Sequence, residues 1–309
     1  MNRKLYVGNL PFQTTDQELE ALFAQAGPVE SVRVMRSKYG FVPNGIDVVN
    51  EPNNFADWSD GTKIGQVIVA TANKLQAAGF TTPDFIAPST VNVDAAPVMY
   101  DEVASVPGAA ALVKEISYHR YGVSQGALEA VGAKSAQTGK RTSMLEYWGD
   151  FVSPNSGANY RMLHQDLALA NVGAWQQGVF ADFPNCASQI ARINNGAAEL
   201  CPNTRLIRQY TKDVRAGARR IGASSVNSAF DPLAFVNVDG RYVVVVKAEG
   251  GSGDFSIGGL PAGQYSVYWT LGNGTAPPSN LADVTVTSGA AVAVNIPAEG
   301  VITIAAKPR

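Results

Sequence analysis

Ile46-Asp47-Val48-Val49-Asn50-Glu51-Pro52-Asn53 is the stretch on which the reading of this chain turns. Ile46–Val49 is a run of strand length, and it ends in an amide, a carboxylate, a proline and a second amide. The same arrangement repeats along the chain. Ile46–Val49 precedes a helix predicted over 61–78, with Ile64, Val67, Ile68, Ala72 and Leu75 on one face. Phe85–Ala87 precedes a helical region at 97–112, and Glu115–Tyr118 precedes one at 125–137. Ser143–Leu145 precedes 159–170, and Val172–Trp175 precedes a helix over 204–216. Strands alternating with helices in this way imply a parallel sheet, open or closed into a barrel. Functional side chains on such a sheet gather where strands end and loops begin.

The strand ends are where the polar motifs fall. The first ends in Asn50-Glu51-Pro52-Asn53, the third in Tyr118-His119-Arg120-Tyr121. The fourth ends in Glu146-Tyr147-Trp148-Gly149 and the fifth in Trp175-Gln176-Gln177. Two carboxylates with aromatics on neighbouring strand ends form a constellation for glycoside hydrolysis. One carboxyl group protonates the leaving oxygen, and the other attacks the anomeric carbon or activates water. Aromatic faces stack on sugar CH surfaces. Each residue also has a plainer reading: Glu51 as a loop cap, Glu146 as an ion-pair partner, His119 as a core histidine, Trp148 and Trp175 as packing residues.

Residues 39–309 resemble clan A glycoside hydrolases, retaining enzymes on a (β/α)8 barrel, and most of all the types that carry a side β-sandwich, families 30 and 39. Asn50-Glu51-Pro52 resembles the motif at the end of that barrel's fourth strand. The resemblance implies Glu51 as acid/base, Asn50 as a contact to the sugar 2-OH and Glu146 as nucleophile at the end of the seventh strand. It implies substrate-binding roles for His119, Tyr121, Trp148 and Trp175, with the ring at the sixth strand end orienting the nucleophile and Trp175 flooring the sugar site. The substrate it implies is a β-linked oligo- or polysaccharide, with no cofactor and no metal. The two histidines, His119 and His164, stand far apart in sequence, which argues against a histidine-type metal centre. Cys186 and Cys201 either close a short loop as a disulfide or remain two buried thiols; the resemblance, to a mostly secreted group, favours the disulfide.

The chain changes character near residue 40. Leu5-Tyr6-Val7 reads as a short strand, Leu19, Leu22 and Phe23 mark one face of a helix that Thr15 or Asp16 can cap, and Val29–Met35 alternates again. Leu5-Tyr6-Val7-Gly8-Asn9-Leu10 and Ser37-Lys38-Tyr39-Gly40-Phe41-Val42 resemble the two ribonucleoprotein motifs of an RNA recognition motif. Lys38 departs from the usual glycine, and Asn44 stands where a last aromatic is expected. That resemblance implies that Tyr6, Tyr39 and Phe41 stack on single-stranded RNA; the alternative is ordinary aromatic core. It stops after Val42, so about half of such a domain is present.

After Ile221 the helical pattern ends. Leu233–Val236, Tyr242–Lys247, Phe255–Ile257, Gln264–Thr270, Asp283–Thr287, Ala291–Ile296 and Val301–Ala305 read as short strands with Gly, Pro-Ala-Gly and Asn-Gly punctuation, hence a β-sandwich. The expected fold is therefore α/β. It comprises an RNA-recognition-like β-α-β segment at 1–42, an incomplete (β/α)8 barrel carrying the catalytic groups at 43–220, and an antiparallel β-sandwich at 221–309. The two resemblances meet at Tyr39–Val42, as in a chimera. The first three barrel strands have no counterpart, so the enzyme class is implied while turnover by this chain stays open.

Composition agrees. The 309 residues are 46% hydrophobic and 16% charged, enough apolar surface for a core and too much for a disordered chain. A net charge of -2 argues against a chain-wide grip on nucleic acid. No apolar run approaches membrane-spanning length. The N-terminus carries no apolar secretory core, which as written points to the cytoplasm, although the hydrolase part resembles secreted proteins.

Overall fold

The computed structural model describes residues 15–24, 45–122, 124–147, 160–182, 186, 189–272 and 274–308. The chain divides into two compact units, residues 1–44 and 45–309. Tyr6, Tyr39, Phe41 and Trp148, with the two short strands expected before residue 36, lie outside the described residues. In the first unit the expected helix is present as α1 (Asp16–Ala24). Thr15 is its cap: the Glu18 N–H donates to the Thr15 hydroxyl at 3.1 Å, and the Thr15 N–H donates back to the Glu18 carboxylate at 2.7 Å.

The second unit opens with the predicted alternation. In order come β1 (Gly45–Asp47), α2 (Gly61–Ala77), β2 (Asp84–Asn92), α3 (Ala96–Ser105), α4 (Ala109–Leu112), β3 (Val113–Tyr121), α5 (Gln125–Thr138), β4 (Arg141–Glu146), α6 (Tyr160–Gln165) and β5 (Ala174–Trp175). All neighbouring strands pair in parallel, in the sequential order β1-β2-β3-β4-β5. Sequential order is the mark of a barrel wound in one direction. The sheet is thus an incomplete barrel wall, with β1 at one edge among the described residues.

The helices cover one face of this wall. Ile64, Ile68 and Ala72 of α2 and Met99, Tyr100 and Val103 of α3 bury against Phe85, Ala87 and Ile116. Gly61 and Gly65 let α2 approach α3 closely, since a Cβ at either would lie 2.5 or 2.7 Å from a carbonyl oxygen of α3. The helical region expected at 97–112 is two helices. Pro107 cannot continue α3, and Gly108, at φ 89, turns the chain into α4. After α6 the chain widens into a π-helical turn at Asp166–Ala170 before β5.

A small sheet not anticipated from sequence follows: β6 (Val179–Asp182), β7 (Gln189–Asn194) and β8 (Ala197–Leu200). Cys186 and Cys201 are joined in a disulfide beside it, with Cα atoms 5.4 Å apart. The last helix, α7 (Pro202–Thr211), starts on a proline at its first position.

The remaining strands are β9 (Arg219–Ile221), β10 (Phe230–Val236), β11 (Tyr242–Ala248), β12 (Gly253–Ile257), β13 (Gly263–Leu271), β14 (Ser279–Asn280), β15 (Val284–Val286), β16 (Val292–Ile296) and β17 (Gly300–Ala306). They form an antiparallel sheet in the order β14-β13-β17-β11-β10-β9, with β15 on β13, and a second sheet β12-β16. Val243-Val244-Val245-Val246 explains the architecture. Val244 and Val246 face the β12-β16 sheet with Val292, Val294 and Ile296. Val243 and Val245 face α6 and α7 with Leu163, Leu206 and Tyr210. An unbroken valine run fits a central strand buried on both sides. The sandwich is thereby welded to the last helices of the barrel part.

Candidate active site

The loop after β1 is held in an unusual conformation. Glu51 is left-handed, at φ 49 and ψ 53, and its N–H donates to the Ser89 carbonyl at 3.0 Å. Ser89 is itself left-handed, at φ 59. Among the described residues, the other non-glycine positions with positive φ are Asn171 and Asn195, the residue type that tolerates this region best. Glutamate and serine do not tolerate it as readily, so the surrounding bonds must hold them there. The Val91 N–H donates to Asn53 Oδ1 at 2.9 Å, tying the same loop to β2.

This conformation sends Glu51 toward β3. His119 Nδ1 lies 2.9 Å from Glu51 Oε1 and 3.9 Å from Glu146 Oε1. Asn54 Nδ2 donates to Glu51 Oε2 at 2.9 Å, and the Tyr121 hydroxyl donates to Glu146 Oε1 at 3.1 Å. The imidazole is buried (1% exposed), whereas the Glu51 and Glu146 side chains are 19% and 28% exposed. The carboxylates are thus reachable from solvent and the group between them is not. A β-bulge between Tyr118 and His119 sets His119 opposite Glu146.

Of the residues singled out in the sequence, the structure brings Glu51, His119, Tyr121 and Glu146 together. Asn50 is exposed beside Glu51. Trp175 has other partners: its indole N–H donates to Asp166 Oδ2 at 2.9 Å, and it packs against apolar residues of two core clusters. Asp166 is fully buried on the π-helical turn. It also accepts from the Tyr118 hydroxyl at 2.9 Å and pairs with Arg120 at 3.1 Å. Burial pushes its carboxyl up, against the pull of Arg120 and these hydrogen bonds. Burial, then the Asp166 charge, pushes the Tyr118 phenol well above its usual range.

Sequence reasoning passed over Asp47, Ser89 and Asn54. Ser89 is fully buried, with its Oγ 3.4 Å from His119 Nε2. Asp47 is exposed on β1, and the Val49 N–H donates to its Oδ1 at 3.4 Å. Burial raises its pKa, opposed by a hydrogen bond from the Ser89 side chain and by His119. The available signal was Pro88: a proline inside a strand marks an irregularity, and β2 shifts register between Pro88 and Thr90.

Glu51, His119 and Glu146 each offer a ligand atom, all within 4.8 Å of one another. Two ligands on one zinc ion at about 2.05 Å would stand roughly 3.3 Å apart in tetrahedral geometry. The 2.9 Å between His119 Nδ1 and Glu51 Oε1 is shorter than that and is a hydrogen-bond distance. The cluster is spaced to share a proton. Its two close carboxylates can divide acid and nucleophile work between them.

The fold is shared with solved glycoside hydrolases. The catalytic domain of the family 30 xylanase C from Talaromyces cellulolyticus superposes with a TM-score of 0.70 at 21% identity, over 87% of this chain and 63% of that one. A family 30 endoxylanase from Clostridium papyrosolvens matches with a TM-score of 0.63 at 19% identity, over 86% and 66%. The family 30 subfamily 8 xylanase of Clostridium acetobutylicum gives 0.64 at 18% identity, over 86% and 66%. The chain therefore spans slightly less than two thirds of the length of these proteins, and has their glycoside hydrolase fold over that part. At the other end, the family model of the RNA recognition motif matches residues 5–43. No described helix is long and apolar enough to cross a membrane.

Proposed function

We propose that residues 43–220 carry a retaining glycoside hydrolase site acting on β-linked polysaccharide, braced by the sandwich at 221–309. The observation that carries this reading is the approach of Glu51 and Glu146 around one buried imidazole at the ends of parallel strands. Their nearest facing oxygens lie within 4.8 Å. Retaining enzymes hold the pair about 5 Å apart, and inverting ones leave roughly 6.5–9.5 Å for a water. Glu146, oriented by Tyr121, attacks the anomeric carbon while Glu51 protonates the leaving oxygen. Water then takes the sugar from Glu146 and returns its proton to Glu51. Asn50, exposed beside Glu51, is read as the contact to the sugar 2-OH, Trp175 as the floor of the sugar site, and Trp148, outside the described residues, as a further substrate-binding aromatic. Because the similar structures are xylanases, β-linked xylan is the first substrate to try.

The test is intact-mass measurement after incubation with 2-fluoro glycosides of several β-linked sugars. A covalent adduct that disappears in Glu146→Gln supports the reading; no adduct with any sugar overturns it. Glu51→Ala should slow hydrolysis of substrates with poor leaving groups by about 10²–10⁴-fold.

The match at residues 5–43 favours a second reading, single-stranded RNA bound through Tyr6, Tyr39 and Phe41. Salt-sensitive binding lost in Tyr6→Ala supports it, and equal binding by that variant counts against it.

A further inference from the structure

The cations of this chain are unevenly spread. Residues 205–220 hold six of its 24 lysines and arginines against a single acid, Asp213, in a protein of net charge -2. Arg205 is engaged inside the fold, donating to the carbonyls of Gly274 and Thr275. The other five, Arg208, Lys212, Arg215, Arg219 and Arg220, are exposed. Among the described residues only Lys212 of these five has a carboxylate in ion-pair range, Asp213 at 3.9 Å. That carboxylate already accepts from the hydroxyl of buried Tyr268. The backbone sets the five in a row. The Lys212 N–H donates to the Arg208 carbonyl at 3.0 Å, so the two share one face at the end of α7. Arg215 folds back on that end, its guanidinium donating to the carbonyls of Thr211 and Lys212 at 3.4 and 3.3 Å. Buried Asn237 fixes the turn, donating to the Asp213 carbonyl at 2.8 Å and accepting the Arg215 N–H at 2.9 Å. On β9, Arg219 stands opposite Val236, the neighbour of Asn237, and Arg220 donates to Asn171 Oδ1 at 3.1 Å.

A cation at a helix end answers the macrodipole, and a charge on an edge strand discourages pairing with another chain. Arg215 and Arg220 fill those two roles. Arg208 and Arg219 remain, exposed and with no side-chain hydrogen bond or ion pair among the described residues. We propose that this row of cations is a docking surface for a carboxylate-bearing polysaccharide, which it holds outside the active site. Four of the five are arginines, whose planar fork takes a carboxylate through two parallel hydrogen bonds. The turn that carries them is pinned by Asn237, so little ordering is needed on binding. Between the cations stand Val214, Ala216, Gly217 and Ala218, and the nearby rings of Tyr210 and Tyr268 are buried. With no exposed ring to stack a base, the surface suits an acidic glycan better than single-stranded nucleic acid. It also lies apart from the glutamates. Asn171 stands just before β5, at the starting ends of the parallel strands, whereas Glu51 follows β1 and Glu146 ends β4. A glycan held there leaves the glutamate cluster open, so the surface tethers and does not react.

The test uses one backbone with and without carboxylates. Carboxymethyl xylan and unmodified xylan are titrated into the full chain carrying Glu146→Gln, so that neither is consumed. Carboxymethyl xylan should bind in a salt-sensitive way. Adding Arg208→Gln and Arg219→Gln together should weaken it by about 10-fold or more, the order expected for two charge-assisted contacts, and leave unmodified xylan unaffected. Arg208→Gln alone serves if the double substitution does not fold. Arg141→Gln, which removes a 63% exposed cation elsewhere on the chain, should change neither. Undiminished binding of carboxymethyl xylan by the double variant overturns the proposal, as does an equal loss from Arg141→Gln. Poly(U) bound more tightly than carboxymethyl xylan, and lost in the double variant, overturns it in favour of nucleic acid. Hydrolysis of a small aryl glycoside by the chain with Glu146 intact should be the same with and without the two arginines, and a slower rate without them counts against a separate surface. A protein that hydrolyses no glycoside sinks the proposed function, while the binding comparison still decides the role of the arginines.

Discussion

His119 and His164 are equally buried, at 1% exposure, and each lies within 3 Å of a carboxylate oxygen, yet their surroundings differ in kind. His164 sits in the seam between α6, α7 and the sandwich. Its Nδ1 is 2.9 Å from the Tyr210 hydroxyl, and its Nε2 is 3.0 Å from Asp231. Asp231 also has Lys247 at 3.7 Å, so negative charge there is answered by a cation. Around His119 two carboxylates converge, and their hydrogen-bond partners are an amide, a phenol and the imidazole. Among the described residues no Lys or Arg pairs with either carboxylate, and paired carboxylates at a solvent-reachable strand end suit the handling of protons. A buried histidine beside a carboxylate is therefore no site by itself.

The sharpest way to break this contrast is to disable each region in turn. Glu146→Gln should lower turnover of a β-glycoside by roughly 10⁴-fold or more, as loss of a nucleophile does, with little change in melting temperature. His164→Gln should do the reverse, lowering stability while leaving the rate per folded molecule near wild type. Rate assays paired with thermal melts check both, and similar rate losses in the two variants would erase the distinction.

A second test probes the buried carboxylate that lies between these regions. Asp166→Ala leaves the Arg120 guanidinium buried without its counter-charge and removes the acceptor of Tyr118 and Trp175. The expected cost is about 3–5 kcal/mol in urea unfolding, the usual penalty for breaking a buried pair from one side. A loss under about 1 kcal/mol would mean that Arg120 finds other partners.

Next in size is the disulfide. Cys186 and Cys201 are separated by 15 residues, and closing a loop of that length is worth about 3 kcal/mol in the chain-entropy model. Cys186→Ser with Cys201→Ser should lower unfolding stability by that order, measured without reductant, with the glutamate cluster unaffected.

Much of the barrel wall was legible because its signals are local and repeated. Ile64, Ile68 and Ala72 lie on one helical face, and the valine run of β11 could only be a strand. Glu51 and Glu146 were legible as strand-end carboxylates. What escaped depended on contacts remote in sequence. Ser89 matters through its left-handed backbone and through neighbours 30 and more positions away, and no periodicity encodes that. Asp47 reads as one polar residue on a half-buried edge strand. The π-helical turn at Asp166 reads as ordinary helix, since its extra residue per turn answers to Arg120 and Tyr118 rather than to its own sequence. The β7–β8 hairpin carried a signal, Asn195-Gly196 with both residues at positive φ, which a two-residue turn requires.

The smallest effect concerns the seam. The His164 imidazole holds the Asp231 carboxyl below its usual range, opposed by burial and aided by Lys247. A carboxyl whose pKa is depressed by folding adds stability above its unfolded value, near pH 3.9, and loses it as pH falls through the lower folded value. Asp231 is 49% exposed, so solvent screening limits the gain to about 1 kcal/mol or less. Urea unfolding of the wild type and Asp231→Asn between pH 2.5 and pH 6, roughly the window set by those values, should give curves that differ near neutrality and converge at the acid end. Glu249, also depressed, titrates in both proteins and cancels in the difference. Curves that stay parallel throughout would show that His164 stabilises the seam by packing against Tyr210, without help from the charge on Asp231.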